Sequence, residues 1–558
     1  HRHYRRQRQM CIRDRSNGRT FKVDYLTSEI DVNDNFQSPS YPALSLATPA
    51  NIIMPGQGGS PFSFPVMFLG RALGSAFDSP AAPRYLEAQR LSLGLSGELN
   101  NGFDMDINYT YSAEDNKGYQ PDTSTSRFLN AIRGGSGAPG TWNLFDSTSN
   151  SQELIDYIGT FQATFVDVKL HVLDFVMTGM VNDVEVATGF QWRKEHHDVA
   201  RNDDSIAGFD ANGNLSEPAD LIFLGGGIET TASRAAYAVF AEAAKQASEK
   251  VELRGAVRYE SLESDSTLNP KVSIRMQAND NLVLRGSVST SFREPSLSQL
   301  NQSSVGLQGI QDFDTSGNPV GQPSFIRIAQ AYSTDLIPEE STNMNLGAIW
   351  TPNDQLSVKF DYWSIDYRDV ITIESAQGKV IADPEGPDVV RLVDGTLIGV
   401  TTRYKNASAV ETDGYDIEAS YIFDTGLGLV SLGMNRTHML SYEIPASGGG
   451  MKDVVGLFNQ DNFARSLPET KTVLSATLTN GNHSMAAFYR MISDYETTAI
   501  PNAMAVSMGL GQDIDEFNVL DLKYTYSFDM DNSNLKLSVG VKNATDEEAP
   551  RFYDAANF

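Results

Sequence analysis

The residues most suggestive of nucleotide chemistry are Gly135, Gly137 and Gly140, which match the glycine spacing of a dinucleotide-binding loop. Such a loop needs a strand immediately before it and a helix immediately after it. Here the glycines lie in a long polar stretch that also contains Pro139. We therefore expect a flexible loop at this position and no phosphate site.

Residues 312–317 imitate the start of a calcium-binding loop. Oxygen-bearing side chains occupy its first, third and fifth positions, and Gly317 occupies the sixth. The glutamate that closes such a loop is missing, because Pro323 stands in its place. Residues 210–214 show a weaker form of the same pattern. We expect polar hairpin tips at both places and no metal.

The histidines do not form a recognisable site. His196 and His197 are adjacent, and neighbouring residues of a strand point to opposite faces, so the two cannot easily share a metal ion. His171, His438 and His483 are scattered. No Ser/His/Asp set or carboxylate pair stands out from a chain so rich in Asp and Ser. We therefore predict that the protein is not an enzyme and carries no cofactor.

Composition narrows the class of protein. Charged residues make up 20% of the 558 residues and hydrophobic residues 40%, which excludes a disordered chain. No stretch approaches eighteen apolar residues, so the sequence predicts no transmembrane helix. A membrane-spanning barrel is still allowed, because it needs only short alternating segments. The net charge of −28 argues against a nucleic-acid partner, which would require a basic surface.

Residues 1–15 are interpreted as foreign to the protein. Residues 10–15 translate back as ATG TGT ATA AGA GAC AG, which resembles a transposon-end sequencing adapter; the alternative is a native basic leader. Without this segment the chain has 37 basic and 70 acidic residues, a formal charge of −33. The single cysteine, Cys11, is lost with it, which leaves no disulfide, thiolate nucleophile or cysteine metal ligand. We take residues 16–558 as the folded part.

Alternation of apolar and polar residues dominates this part of the chain, and a period of two is typical of a strand with two different faces. The pattern is clear at residues 105–111, 251–259, 282–292, 356–362, 415–421, 520–528 and 535–541. A soluble sandwich and a membrane barrel both produce it, because one buries its apolar face and the other turns that face to lipid. Alternation alone therefore leaves the fold class open.

The connections between strands favour the barrel. Short turns are predicted near residues 100–102, 277–280, 351–355, 480–482 and 530–534. Long polar segments alternate with them at about 31–84, 115–168, 198–233, 293–339, 369–409, 442–468 and 495–514. We assign no fixed structure to these segments beyond one possible short helix near 151–166. Short turns at one end and long loops at the other are typical of an outer-membrane barrel, here with about seventeen strands after residue 16.

Four motifs support this interpretation and resemble, in order, those of the TonB-dependent receptors, which are outer-membrane active transporters. Residues 268–300 contain an N-P-K strand followed by R-G-S and F-R-x-P-S-L. Residues 186–195 are similar to A-x-G-x-E-x-R-x-E, with Gln191 where glutamate is usual. Residues 411–418 resemble E-T-x-G-x-[DE], and residues 539–546 resemble V-x-N-x-x-D. The motif positions that we single out are Phe292, Arg293, Pro295, Gly414 and Asn543.

The resemblance implies an all-β fold, a large antiparallel transmembrane β-barrel. Plugged outer-membrane transporters have 22 strands, so about seventeen would make residues 16–558 a partial barrel with long extracellular loops. We expect one further strand beyond the end of the chain. About four more, together with the plug domain and the TonB box, are expected before its start.

The function implied by the resemblance is ligand-gated, energy-coupled uptake of a scarce solute across the bacterial outer membrane. An iron chelate, a vitamin, a glycan and a peptide all stay open as ligands, because selectivity lies in the extracellular loops. The expected partners are this ligand, outer-membrane lipid and lipopolysaccharide, and the TonB energy-transducing complex. A passive porin or structural barrel is the alternative, since porins have a similar number of strands. A secreted soluble β-protein is a third hypothesis.

Charged residues on the alternating strands should line the lumen. Placing Arg or Lys against lipid at the bilayer midplane costs roughly 2–4 kcal/mol. We therefore predict that the following residues point inward: Arg254, Arg258, Arg285, Lys359 and Glu418.

Overall fold

One antiparallel sheet dominates the computed structural model, which describes residues 4–16, 18–36, 52–67, 73, 77–263, 265–406, 409–446, 450–458, 466–498, 501, 503–530 and 533–552. In this part of the chain the sheet has 19 strands. Eighteen form its wall: β1 (Tyr4–Ser16), β2 (Arg19–Val32), β3 (Arg84–Glu98), β4 (Asp104–Thr123), β5 (Gly159–Val181), β6 (Val184–Arg201), β7 (Thr230–Ser248), β8 (Val251–Ser261), β9 (Ser266–Asn279), β10 (Leu282–Arg293), β11 (Glu339–Trp350), β12 (Leu356–Arg368), β13 (Val410–Thr425), β14 (Gly428–Pro445), β15 (Thr470–Asn480), β16 (His483–Ile492), β17 (Phe517–Met530) and β18 (Ser533–Val541).

The wall is built in chain order, because each strand pairs in antiparallel fashion with the next one along the sequence. The nineteenth strand, Met451–Asp453, is short and pairs with the outer end of β14. Within the described residues, β1 pairs only with β2, and β18 only with β17. The result is an up-and-down sheet with short turns at one end and long loops at the other.

The loops contain their own helices and short strands. The helices are α1 (Thr125–Ile132), α2 (Gln152–Ile158), α3 (Leu297–Asn301), α4 (Ala376–Ala382) and α5 (Ala503–Ser507). None of the described helices is long and apolar enough to span a bilayer. The remaining loop strands are Ile52–Ile53, Val66–Met67, Gly208–Phe209, Leu215–Glu217, Ser304–Phe313, Pro319–Ala331, Ile371–Ile373, Val389–Arg391, Leu397–Asn406, Leu457–Phe458, Tyr495–Thr497 and Asp513–Ile514.

The apolar face of the wall is exposed. Leu268, Val272 and Val288 lie on this face with 63%, 65% and 51% of their surface accessible. A soluble sandwich would cover such residues with a second sheet. The described core clusters instead gather at the long-loop end, among helices, loop strands and the outer-end residues of two wall strands. An exposed apolar face with no central core is the arrangement of a barrel that meets lipid.

The predicted strand count is confirmed, since seventeen wall strands follow residue 16, and so are the predicted short turns except the one at 530–534, because residues 531 and 532 lie outside the described part of the chain. The predicted loop at 115–168 is too long, because β4 continues to Thr123 and β5 begins at Gly159. These strand ends pair residue by residue although the β4 end, residues 115–123, is polar. Beyond the lipid both faces of a strand meet water, so pairing continues there without the apolar alternation that marks a strand in a sequence.

The long loops, which we left without assigned structure, are partly ordered. The suggested helix near 151–166 is only α2, Gln152–Ile158, capped by the Ser151 side chain. Residues 4–16 form β1 and pair with β2. Pairing does not test where these residues come from, so their foreign origin stays a prediction.

Two motif glycines allow neighbouring groups to approach the strands closely. A Cβ atom at Gly414 would lie 2.5 Å from the His438 carbonyl oxygen and 2.6 Å from the Trp363 ring. A Cβ atom at Gly189 would lie 2.5 Å from both the Phe175 carbonyl oxygen and the Phe240 ring. The register of β13 against β14 also shifts at Gly414. These contacts explain why the motif requires glycine at both positions.

We predict that Gly414→Ala lowers the free energy of unfolding by about 1–3 kcal/mol, because the added methyl group overpacks the strand. Gly255→Ala in β8 is the control, since a Cβ atom there meets nothing within 4 Å. Urea unfolding of the folded protein in detergent micelles measures both variants. Equal stability of the two would contradict the steric explanation.

Candidate functional site

The polar face of the wall carries the five charged residues that the sequence predicted to point inward. Arg254 pairs with Glu242, and Arg258 pairs with Glu260. The cross-strand register places all five on the face opposite the exposed apolar side chains: Arg254, Arg258, Arg285, Lys359 and Glu418. This face is polar, as the inner surface of a barrel is expected to be, and the assignment of the five residues to the lumen stays a proposal.

The lower part of this face holds a cavity of about 530 Å³ that is lined mainly by charged side chains. Arg285 donates to Asp361 at 2.5 Å, and Lys359 donates to Glu418 at 2.9 Å. Asp416 accepts a hydrogen bond from the Thr437 hydroxyl at 2.6 Å. Three of the predicted inner residues thus meet in one cavity near the short-turn end. Opposite charges offset each other there, so the cavity is polar without strong net charge.

A buried ionic network lies higher on the same face and joins β6, β7 and β8 to the segment after β10. Arg193 pairs with Glu260 and with Glu294, the latter at 3.1 Å. Arg234 pairs with Glu195 at 2.7 Å and with Glu294 at 3.3 Å. Only 2% of the Glu260 side chain and 8% of the Glu294 side chain are exposed. The network therefore clamps four segments that are far apart in the sequence.

Burial raises the pKa of Glu294, although Arg234 and Arg193 act in the opposite direction. The carboxyl group lies just outside β10, in the loop that leads to α3. Removing water from the group thus outweighs the attraction of two guanidinium groups. Because the Glu294 carboxylate is costly to ionise when buried, the network should be sensitive to loss of either Arg193 or Arg234.

The motifs of the sequence contain most of this network, but their spacing did not indicate that these residues meet. Arg193 and Glu195 belong to the motif at 186–195, and Glu294 is the variable residue of F-R-x-P. Gln191, the motif's departure from glutamate, accepts a hydrogen bond from Arg258 at 2.8 Å and donates to Asp174 at 2.7 Å. A neutral amide can do both at once, which a carboxylate cannot.

We predict that Glu260→Gln lowers the free energy of unfolding by about 3 kcal/mol, because it removes the buried carboxylate that pairs with both Arg193 and Arg258. Arg254→Gln is the control, since that pair is about half exposed on both sides and worth less than about 1 kcal/mol. Urea unfolding in micelles measures both. A Glu260→Gln variant as stable as the control would show that the network does not hold the wall together.

The remaining motif positions end strands or hold loops. Phe292 lies opposite Glu340 near the outer end of β10. Arg293 pairs with Glu339, which also accepts the Ile371 backbone N–H at 2.7 Å. Pro295 follows the end of β10, as its missing N–H requires.

Asn543 forms the turn after β18. It has a positive φ of 49°. Its side chain bonds the Glu547 backbone through both its nitrogen and its oxygen, and its own backbone N–H donates to Asp521 at 2.9 Å. Asparagine tolerates positive φ and bonds its own backbone locally, which explains the residue at this motif position.

Two loops combine into one small folded unit above the wall, which we call the cap. Its sheet has five strands, and Pro319–Ala331 pairs in parallel with Leu397–Asn406. The strands are Ser304–Phe313, Pro319–Ala331, Leu397–Asn406, Ile371–Ile373 and Val389–Arg391. Helix α4 packs on the sheet through Ala376 and Val380. The cap therefore cannot be divided into its two loops without breaking a shared core.

Ion pairs fasten the cap internally. Arg391 donates to both Asp312 carboxylate oxygens, at 2.6 and 2.9 Å. This hydrogen bonding lowers the pKa of Asp312. Asp314 accepts the backbone N–H groups of Ser316 and Asn318. The calcium-like segment thus closes a hairpin, as the sequence interpretation expected.

The other candidate segments have structural contacts. The glycine-rich run follows α1 rather than a strand. His171 bonds Tyr109, His438 stacks on Tyr415, and His483 bonds Tyr524. Across the described ranges, no three His, Cys, Asp or Glu side chains converge as a metal site would require.

A third loop is tied both to the wall and to the cap. Asp122, at the outer end of β4, accepts the backbone N–H groups of Phe223 at 3.1 Å and Leu224 at 2.6 Å. Arg327 of the cap donates to the Leu221 carbonyl oxygen at 2.8 Å. Burial raises the pKa of Asp122 from 3.8 to about 6, against the opposing effect of these N–H groups and Arg327. Sequence analysis missed Asp122, because its partners lie about a hundred residues away.

We predict that protection of the 221–226 amides from hydrogen exchange falls between about pH 5 and about pH 7.5. A carboxyl group with a raised pKa in the folded state contributes stability that is complete below its unfolded pKa and is lost as the pH rises through about 6. Asp122→Asn should remove this difference. Exchange mass spectrometry, corrected for intrinsic rates, measures it.

Asp210→Asn is the control in the same loop. The pKa of Asp210 is lowered by the Asn214 backbone N–H, so its contribution changes only at more acidic pH. A pH difference that persists in Asp122→Asn, or disappears in Asp210→Asn, would assign the effect to another group.

The fold and these contacts define the class of protein: an outer-membrane β-barrel whose wall has one apolar and one polar face and whose long loops are folded at one end. The β-barrel model of the "TonB dependent receptor-like" family matches residues 20–544. The chain therefore belongs to the TonB-dependent receptors, a family of outer-membrane β-barrel proteins of Gram-negative bacteria, as its motifs predicted. No curated protein matches it.

Solved structures with this fold include receptors from two bacteria. The siderophore receptor PirA of Acinetobacter baumannii is 14% identical with a TM-score of 0.60, and the match covers 98% of this chain and 67% of that one. A variant of the ferric enterobactin receptor PfeA of Pseudomonas aeruginosa is 12% identical with a TM-score of 0.62, covering 95% and 62%. The ferripyoverdine receptor of P. aeruginosa is 14% identical with a TM-score of 0.55, covering 96% and 60%. The chain thus spans about two thirds of these receptors.

Proposed function

We propose that the protein imports a scarce solute across the outer membrane and that the cap and neighbouring loops bind the solute before it enters the barrel. The observation that carries this proposal is the ordered mouth of a TonB-dependent receptor barrel. Two loops share one core, and a third is tied to them by Arg327. A passive pore needs no such assembly, whereas a specific binding site needs a rigid scaffold.

An iron chelate is the first ligand to test. The PirA structure is that of a siderophore receptor, and other PfeA and pyoverdine-receptor structures contain enterobactin and ferripyoverdine. These proteins share only 12–14% identity with this chain, so their ligands are not transferred to it. A vitamin, a glycan and a peptide stay in the proposal. Binding and release of any of them would require no covalent chemistry, so we propose a receptor and not an enzyme.

Energy coupling is the second part of the proposal. In the family it depends on a plug and on contact with the TonB complex in the periplasm. In this proposal Arg254, Arg258, Arg285, Lys359 and Glu418 face the lumen and contact either the plug or the water around the passing solute. The ion pairs Arg285–Asp361 and Lys359–Glu418, near the short-turn end, support this part of the proposal because they provide a charged surface for these contacts.

Uptake measurements test the proposal. The chain, with the sequences that flank it in its gene, is expressed in a host whose own receptors have been deleted. Radiolabelled iron chelates, cobalamin, oligosaccharides and peptides are then supplied with and without a protonophore. We expect saturable uptake of one ligand class that stops when the protonophore is added. Uptake that rises linearly with concentration and ignores the protonophore would support the porin alternative.

An ion-pair variant links uptake to the cap. Arg391→Gln removes the ion pair with Asp312. We expect the ligand concentration at half-maximal uptake to rise several-fold while the maximal rate stays unchanged, because the binding scaffold loosens while the barrel stays intact. Lys245→Gln is the matched control, since its 3.0 Å pair with Asp183 lies at the opposite, short-turn end of the wall. Equal half-saturation for both variants would place ligand binding away from the cap.

A further inference from the structure

Four side chains that can carry positive charge form a compact group on β5 and β6, which we call the cation block. Lys169 and His171 lie on β5, and Lys194 and His196 lie on β6. The register pairs Lys169 directly with His196, and His171 directly with Lys194. Side chains opposite each other across an antiparallel pair are about 5 Å apart at Cβ. The four side chains therefore lie next to one another on one face of the sheet.

The cation block lies on the outer face of the wall. In β6, Lys194 shares its face with Phe190 and Trp192, whereas Gln191, Arg193 and Glu195 lie on the inner face. Trp192 lies opposite Tyr237 of β7, which is 52% exposed. Aromatic residues mark the membrane–water boundary of outer-membrane barrels. The block follows directly after this aromatic row.

The height of the block agrees with a headgroup position. Counted from the short turn after Val181, His171 is ten residues along β5, and Lys169 is two residues further. A tilted strand crosses the apolar band of about 25 Å in roughly ten residues. The block therefore lies just above the apolar band on the long-loop side, where the headgroups of the outer leaflet lie.

Asp167 and Asp198 lie opposite each other beside the block on the same face, and Lys194 is the lysine of the block that is left to bind an anion. Lys169 contacts Asp167 at 2.7 Å, and Tyr109 bonds His171 at 2.8 Å. Lys194 is exposed, and among the described residues no carboxylate lies within ion-pair distance of it. Asp198, further from the membrane, accepts the Thr231 hydroxyl. In a chain of net charge −28, an outward group of two lysines and two histidines next to aromatic residues needs an explanation.

We propose that the cation block binds the phosphate of a phosphorylated lipid headgroup in the outer leaflet. The lysine ammonium groups and imidazole N–H groups would donate to the phosphate oxygens. The acyl chains of the same lipid would lie along Leu173, Phe175, Phe190 and Trp192. A free phosphate ion could use the block but not this apolar surface. The site is independent of the solute that the barrel transports.

Native mass spectrometry of the 558-residue protein in detergent tests the site, with bis-phosphorylated lipid A and its dephosphorylated form as probes. The quadruple variant K169Q/H171Q/K194Q/H196Q should bind bis-phosphorylated lipid A about 30-fold more weakly than the wild type, the factor expected for two lysines at an anionic surface. The wild type should bind dephosphorylated lipid A as weakly as the quadruple variant binds bis-phosphorylated lipid A. Lys245→Gln, on the same face at the short-turn end, should not change binding.

Equal binding of bis-phosphorylated lipid A by the wild type and the quadruple variant would overturn the proposal, and so would equal binding of both lipids by the wild type. Complete displacement of the lipid by millimolar inorganic phosphate would identify a free-anion site and also overturn it. Heat-modifiable migration on a gel confirms that each variant is folded. If the quadruple variant does not fold, Lys194→Gln alone should weaken binding about 5-fold.

Discussion

Backbone hydrogen bonding within a membrane is the constraint on which the rest of this structure depends. An unpaired N–H or C=O group in hydrocarbon costs several kcal/mol, so a spanning strand must pair with neighbours on both sides. Strands β2 to β17 meet this requirement, because each pairs with the wall strands before and after it along the sequence, whereas β1 and β18 each have one partner within the described residues. Both faces of the wall are then free to differ. One is apolar and exposed, and the other carries ion pairs such as Arg285–Asp361 and Lys359–Glu418.

This constraint also decides where apolar side chains are buried. The wall has a lipid face and a polar face, so it offers no interior for a hydrophobic core. Buried Ile310, Ile326 and Val400 therefore belong to the cap, and buried Phe128 and Trp142 belong to neighbouring loops. The loops are folded units that the wall carries at its outer end.

The buried ionic network connects the two regions. Glu294 follows the last residue of β10, and its carboxylate reaches Arg193 and Arg234 inside the wall. Glu339, at the start of β11, holds both Arg293 and the backbone of Ile371. Such contacts cost desolvation, and they fix geometry rather than add much net stability. They set the position at which the cap leaves the wall, and hence its orientation over the lumen.

The sequence alone determined most of the wall, because alternation is a local pattern, but it did not predict β1 or the outer ends of β4 and β5. The roles of Gly414 and Pro295 could be read from the sequence for the same reason. A glycine that lets another group approach the backbone, and a proline that lacks an N–H, act on the strand at their own positions. The sequence also showed which charges share a face. The tertiary structure decided which charges meet: Arg193 and Glu294 are 101 residues apart, and Asp122 and Leu224 are 102 apart. It also decided that the polar loops fold, because their cores arise only when segments from different loops pack together, and no periodicity within one loop reports that contact.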